Sequence, residues 1–173
     1  MKFGLISVTM TLMASSAIAQ HAHQLHLPSE TGQSQFAAIA EIVTLLRDDP
    51  KTDWEKIDIK ALRDHLIDMD NVTTKASVER TFDGLGMTFM VKGDEEVAAS
   101  IQRMVMAHSP MLQGSSDWTV IAQKMEDGAV MTVTVGTEED MQQVLGLGFF
   151  GLMTIGAHHQ QHHLMIASGR SPH

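Results

Sequence analysis

The chain lacks cysteine and tyrosine altogether and has few basic residues, with 12 Lys and Arg against 21 Asp and Glu. Without cysteine there is no disulfide, cysteine-ligated zinc site, iron–sulfur cluster, thiol nucleophile or covalently attached c-type haem. The basic residues are scattered singly along the chain, whereas a phosphate-binding surface needs them clustered. The sequence therefore predicts no nucleic-acid partner.

Long hydrophobic runs are also missing, although a short one follows the N-terminus. Lys2 precedes an apolar core from Phe3 to Met13, and Ala17-Ile18-Ala19 has the small-x-small pattern of a cleavage site. A transmembrane helix needs roughly 18 uninterrupted apolar residues, and no stretch of this chain reaches that length. We therefore predict a signal peptide over residues 1–19, cleavage near Ala19, no transmembrane segment, and a periplasmic or secreted protein.

Histidine and methionine are conspicuous among what is present, with ten and fourteen residues in a chain of 173. The composition, 43% hydrophobic and 19% charged, indicates one globular domain with appendages. Residues 20–32 show no periodicity and predict a flexible arm, in which three histidines offer a weak site for Cu(II) or Zn(II): His21, His23 and His26. For residues 33–57 we predict an N-terminal helix and a linker, because apolar residues recur there at intervals of three and four.

An internal repeat of about 44 residues organises residues 58–170. Asp83-Gly84 matches Asp127-Gly128, and the apolar residues that follow also match in pairs: Met87 with Met131, Phe89 with Val133, and Val91 with Val135. Asp-Gly supplies the positive φ angles of a tight turn, so two β-hairpins are expected. Helical patterns flank them over residues 58–69, 94–108 and from 137 towards 168. We predict an α+β fold, a four-stranded antiparallel sheet of two repeated hairpins with helices on one face, preceded by an N-terminal helix.

Four histidines within six residues form the densest chemical feature of the sequence: His158, His159, His162 and His163. On a helix, residues four apart lie on the same side, so these histidines form two pairs that can each chelate a metal. No glutamate follows the first histidine, unlike the motif of zinc metalloproteases. The apolar stripe through Leu152 and Ile155 directs His159 and His162 inward. Metal binding is favoured here over a pH-responsive or merely polar helix.

Histidine and methionine also share apolar stripes on two other helices. His108 lies between Met104 and Met111, and His65 lies one turn before Met69. His65 and His108 are 43 residues apart, so a pseudo-twofold packing of the repeat would bring them together near the last helix. Imidazole and thioether suit copper better than calcium or magnesium, which prefer oxygen. Beyond the four clustered histidines, the second set of candidate ligands is His108, His65, Met104, Met111, Met69 and Met165.

Two segments carry a resemblance to other proteins. They are Trp54-x-x-Ile57-Asp58-Ile59-x-x-Leu62-Arg63-x-His65-Leu66-Ile67-Asp68-Met69 and Gly156-x-His158-His159-x-x-His162-His163-x-Met165-Ile166. Their pattern resembles a group of small exported bacterial proteins of unassigned activity, over about Trp54 to the end of the chain. The resemblance implies an exported bacterial origin and no particular reaction.

Three functions from different classes are compatible with these patterns. The first is a periplasmic His/Met metal-binding protein that prefers a copper ion, with zinc as another candidate, and that handles metal rather than turning over a substrate. The second is an electron carrier or enzyme that uses copper or b-type haem, with His/Met axial ligation. The third is a pH-responsive module for a ligand or an unknown protein partner. No G-x-S-x-G motif or carboxylate pair indicates hydrolysis, so no catalytic residue is assigned.

Overall fold

The computed structural model describes residues 35–157 and 159–170. The predicted signal peptide and histidine-bearing arm lie outside the described residues. The helices are α1 (Gln35–Asp48), α2 (Ile59–Lys75), α3 (Glu95–Gly114), α4 (Glu138–Leu152) and α5 (His159–Ala167), with a short 3-10 turn at Trp54–Lys56. The strands are β1 (Ser77–Asp83), β2 (Gly86–Lys92), β3 (Thr119–Met125) and β4 (Gly128–Thr134).

The four strands form one antiparallel sheet in the order β1-β2-β4-β3. Alternate residues of the central strands are buried because successive side chains of a strand point to opposite faces. Met87, Phe89 and Val91 of β2 and Met131 and Val133 of β4 are each at most 1% exposed. The α+β prediction of a sheet covered by helices on one face, with an N-terminal helix before it, is confirmed.

The two hairpins are related by 42 residues rather than by the 44 that the sequence repeat suggested. Ser77 pairs with Lys92 and Thr119 pairs with Thr134, and each partner of the second pair lies 42 positions after its equivalent in the first. Gly84 belongs to the first hairpin loop, whereas Gly128 is the first residue of β4. The correction moves the alignment by two residues. Because two is a full period of a strand, the predicted buried face is unchanged.

Side-chain caps fix where the helices begin. Asp58 accepts a hydrogen bond from the Ala61 amide at 2.8 Å, Asp94 from the Val97 amide at 3.2 Å, and Thr137 from the Asp140 amide at 3.1 Å. Each cap satisfies one of the amide groups that lack a partner in the first turn of a helix. The cap at Thr137 agrees with the start that the sequence predicted for the last helical pattern.

That last helical pattern is divided into two helices. Gly148 has φ 58° and ψ −174° within α4, and Gly156 has φ 75° in the connection between α4 and α5. These backbone angles favour glycine and do not continue an α-helix. The chain therefore leaves the helical path before α5, and α5 is a separate helix of nine residues that does not continue α4.

The buried apolar side chains fall into two clusters. The larger cluster lies between the sheet, α3 and α4, and Phe89, Ile101, Met131 and Leu152 are in it. The smaller cluster joins α1, α2 and α5 through Ile42, Leu46, Leu62, Leu66 and Ala167. Over residues 35–157 and 159–170, no helix combines the length and apolarity needed to cross a bilayer.

Candidate metal-binding site

A small cavity of about 30 Å³ lies where α2, α3 and the segment 153–162 meet. Its described lining consists of His65, Met69, Met104, Ala107, His108, Met111, Met153, Ala157, His159 and His162. Eight of these ten residues carry an imidazole or a thioether, and none carries a carboxylate. A cavity of this size holds about one water molecule or one ion, whereas pockets for organic ligands have volumes of about 300–1,000 Å³.

Helix α2 contributes an imidazole and a thioether that lie one turn apart. Leu62 and Leu66 are buried in the smaller cluster and fix which side of α2 faces the protein. His65 and Met69 lie beside that buried stripe, are half-buried and line the cavity, and Met69 also packs against the smaller cluster. The i, i+4 spacing places both side chains on the same side of the helix.

Helix α3 contributes a buried histidine between two methionines, as the sequence pattern indicated. His108 is 4% exposed, and its Nε2 lies 3.1 Å from the Leu152 carbonyl oxygen. A carbonyl only accepts, so Nε2 donates and the neutral ring carries its lone pair on Nδ1. Backbone carbonyls orient metal-binding histidines in this way in known metal sites. Met104 and Met111 flank His108 along the same cavity wall.

Helix α5 brings further imidazoles against His65. The ring centroids of His65 and His162 are 4.9 Å apart, and those of His65 and His163 are 5.6 Å apart. His159 and His162 lie 6.3 and 6.4 Å from His163 by the same measure. Imidazole nitrogens bind metals at about 2.0–2.1 Å, so two rings that share an ion have centroids roughly 4.5–6.4 Å apart. All four separations fall within that range.

His163 is the most buried histidine of α5, although the sequence stripe directed His159 and His162 inward instead. It is 4% exposed, and neither ring nitrogen has a hydrogen-bond partner among the described residues. Burial, together with the neighbouring His159, lowers the pKa of His163 from 6.5 to about 4. The ring is therefore neutral at pH 7 and keeps a lone pair.

Imidazole nitrogens alone do not provide enough ligands for a metal ion in the described part of the chain. Over residues 35–157 and 159–170, no three His, Asp or Glu side chains form a group that could hold a metal ion. A site built from these residues therefore needs other donors. The thioethers of Met69, Met104, Met111 and Met153 line the same cavity and can supply them.

The structure brings together seven of the ten residues that the sequence put forward as ligands: His65, His108, His159, His162, Met69, Met104 and Met111. His163 contacts three of the other histidine rings without belonging to the described lining, and Met165 does not belong to it either. The side chain of His158 lies outside the described residues. Met153 is the ligand candidate that sequence reasoning missed, because the helical pattern was extended through residues 153–156, where the chain turns.

A polar network between α2 and α3 fixes the two helices that carry His65 and His108. The guanidinium of Arg103 donates two hydrogen bonds to Asp68, at 2.7 Å to Oδ2 and 2.6 Å to Oδ1. The Ser100 hydroxyl donates to Asp68 Oδ1 at 2.8 Å, and Asn71 Nδ2 donates to Ser100 Oγ at 3.0 Å. Bidentate pairs of this kind constrain geometry as well as adding energy. Asp68 directly precedes Met69, so the network ties α2 to α3 at the level of that cavity residue.

Comparison with protein-family models, with curated proteins and with solved structures found no match.

Proposed function

We propose that the protein binds a single transition-metal ion, preferably copper, in the cavity between α2, α3 and residues 153–162, and that it serves in metal handling. The observation that carries this proposal is the composition of the cavity wall. Four imidazoles and four thioethers, from stretches of the chain up to 97 residues apart (His65 to His162), surround a space of about 30 Å³. A packing role for methionine does not by itself explain why so many potential ligands meet at one small cavity.

The donor set supports copper over other ions. Calcium and magnesium take oxygen ligands, and the described cavity lining has no carboxylate. Imidazole serves zinc and copper alike, whereas thioether favours copper. The expected export of the protein from the cytoplasm fits this choice, because a cysteine-free chain can bind copper in an oxidising compartment without losing thiol ligands to oxidation.

The size of the cavity supports handling of an ion over chemistry on an organic substrate. A b-type haem or an organic substrate would have to extend well beyond the space of about 30 Å³ between these side chains. An absorption spectrum of the purified protein tests the haem alternative directly, because bound haem gives a Soret band. We expect no such band.

Metal content of the purified protein is the decisive measurement. We expect about one copper per chain by elemental analysis after expression with copper, and a loss of most of it in the double variant His65→Ala/His162→Ala, which removes the closest imidazole pair. The variant His173→Ala, which changes a histidine at the end of the chain, is the matched control and should retain its copper. Circular dichroism checks that each variant is folded. Copper-free wild-type protein, or a double variant that retains full copper, would refute the proposal.

A further inference from the structure

The four methionines of the cavity differ from the methionines that build the core. Met87 and Met131 are 1% and 0% exposed and pack within the larger apolar cluster. The cavity methionines, which are Met69, Met104, Met111 and Met153, are all half-buried and line the cavity, and Met69, Met104 and Met153 also pack against the two apolar clusters. We call these four the thioether wall. The thioether wall therefore borders the cavity as well as the core, whereas Met87 and Met131 belong to the core alone.

The electrostatics of the cavity favour an ion of low charge. Every ligand candidate in the described lining is uncharged when its imidazole is neutral. Of the acids that flank His65 and Met69 in sequence, Asp64 is paired with Lys60, Asp68 is paired with Arg103 and Asp70 is exposed, and none belongs to the described lining. The cost of moving an ion out of water rises with the square of its charge, so a divalent ion costs about four times as much as a monovalent one. Neutral walls without a carboxylate do little to offset that difference.

We propose that the thioether wall makes the site selective for a monovalent, thiophilic ion, which is Cu(I) or its redox-inert counterpart Ag(I), over Cu(II) and Zn(II). This inference rests on the proposed metal site and adds to it the oxidation state of the ion. The imidazoles provide affinity that all of these ions share, because nitrogen ligands suit both copper states and zinc. The thioethers provide the difference in affinity between these ions, because a soft sulfur ligand binds a soft monovalent ion more strongly than it binds Cu(II) or Zn(II).

The test compares two ions on two methionine variants of one helix. The purified protein and its variants are titrated by calorimetry with silver nitrate, and separately with zinc sulfate, in chloride-free buffer. The variant Met104→Leu/Met111→Leu removes two sulfur atoms from the wall while keeping the apolar volume. Met106→Leu is the matched control, since Met106 lies on α3 and is 36% exposed outside the described lining.

We expect Ag(I) to bind with one ion per chain and at least about tenfold more tightly than Zn(II). The double variant should lose about tenfold or more in Ag(I) affinity, a loss within the range seen when ligand shells are altered, while its Zn(II) affinity stays within about twofold. Met106→Leu should match the wild type for both ions. In protein labelled with ¹³C at the methionine methyl groups, Ag(I) should shift the resonances of the thioether wall and leave those of Met87 and Met131 in place.

The possible results distinguish selectivity for a monovalent ion from the existence of the metal site itself. One-to-one binding of Zn(II) with no tighter binding of Ag(I) overturns the selectivity and leaves the metal site standing. Failure of both ions to bind overturns both proposals. An equal loss of Ag(I) and Zn(II) affinity in the double variant, or an equal loss in Met106→Leu, also overturns the selectivity, because the effect then comes from packing. Circular dichroism and the methyl spectrum distinguish a folded variant from an unfolded one.

Discussion

At the scale of single residues, His163 is a polar, titratable side chain that is almost fully buried. The ring lies in α5 next to Ala167 of the smaller apolar cluster and contacts the rings of His65 and His162. Neither nitrogen has a hydrogen-bond partner among the described residues. Such an arrangement costs roughly 1–3 kcal/mol unless the group finds a ligand. Burial favours the neutral form of the ring in the folded protein and lowers its pKa.

We predict that His163 makes stability depend on pH between about 6.5 and 4. Its pKa is lowered to about 4 in the folded protein by burial and by His159. The unfolded chain takes up the proton first, so stability is complete above pH 6.5 and falls as the pH drops towards 4. The difference corresponds to about 3 kcal/mol at full protonation. Thermal unfolding of the metal-free protein, followed by circular dichroism from pH 4 to 7.5, measures it.

Two variants of His163 separate its charge from its shape. In His163→Leu we expect the pH dependence over this interval to be reduced and the stability at pH 7 to be kept or raised, because an apolar side chain suits the site. In His163→Gln we expect the same reduction in pH dependence with lower stability at pH 7, because a buried amide also lacks partners. A slope that is unchanged in both variants would show that other groups cause the pH dependence.

At the scale of elements, the connection between α4 and α5 decides where the last histidines lie. Gly156, with φ 75°, lies against the end of α3, where an added Cβ would come within 2.4 Å of Ser115 Oγ and 2.8 Å of the Met111 carbonyl oxygen. This close approach holds residues 153–157 beside Met111. The C-terminal end of α5 is held by the hydrogen bond from the Asp58 amide to the Ala167 carbonyl at 2.7 Å. Both ends of the segment are thereby fixed against α3 and α2.

Two glycines of α4 provide a matched test of the kink. At Gly146 and at Gly148 an added Cβ would meet no atom within 4 Å, so only the backbone distinguishes them. We predict that Gly146→Ala stabilises the protein by about 0.5–1 kcal/mol, because alanine is the better helix former. We predict that Gly148→Ala destabilises it by about 1–3 kcal/mol, because φ 58° with ψ −174° is a region essentially limited to glycine.

Urea denaturation of both variants measures these differences. Equal effects in the two variants would mean that Gly148 does not hold its kinked conformation in solution. A stabilising Gly148→Ala would indicate that α4 runs straight there, and the position of Met153 and the connection would then have to be reconsidered.

At the scale of the whole described domain, the cavity lies where the two apolar clusters meet. Helix α2 takes part in both clusters, through Val72 in the larger and Leu62 in the smaller. Helix α5 packs only with the smaller one, and nine residues are too few for a helix to be stable alone. An ion bound between α3 and α5 would join elements that belong to different clusters.

We predict that metal binding protects α5 against hydrogen exchange more than it protects the sheet. In the metal-free protein, amides of α5 should exchange faster than those of β2 and β4, because few buried contacts hold α5. With Ag(I) at about 100 times its dissociation constant, binding adds about 2.7 kcal/mol, and exchange through opening of the site should slow by about a hundredfold. Mass spectrometry of peptides from α5 and from β2 measures both. Equal protection of the two peptides would place the ion elsewhere or show a single cooperative opening.

Much of the fold could be predicted because the determining signals are local. Period-two alternation identified the buried face of β2, and it survived a two-residue error in the repeat because both registers share that face. Asp58, Asp94 and Thr137 stand where helices begin because a side-chain oxygen there satisfies free amides. The helical pattern from residue 137 towards 168 is divided, because the backbone conformation at Gly156 breaks a periodicity that residue types alone do not reveal, although His159 and His162 of the predicted stripe still line the cavity.

The sequence by itself determined the chemistry available to this protein: without cysteine, its potential metal donors are imidazole nitrogen and thioether sulfur, and their spacing of three and four residues places them on one side of each helix. Only the tertiary structure decided which of them meet. It brought His65 to 4.9 Å from His162, added Met153 to the cavity, and buried His163. The reason is physical, because helical periodicity is fixed by the backbone, whereas convergence depends on how separate helices pack against one sheet and on where glycine lets the chain turn.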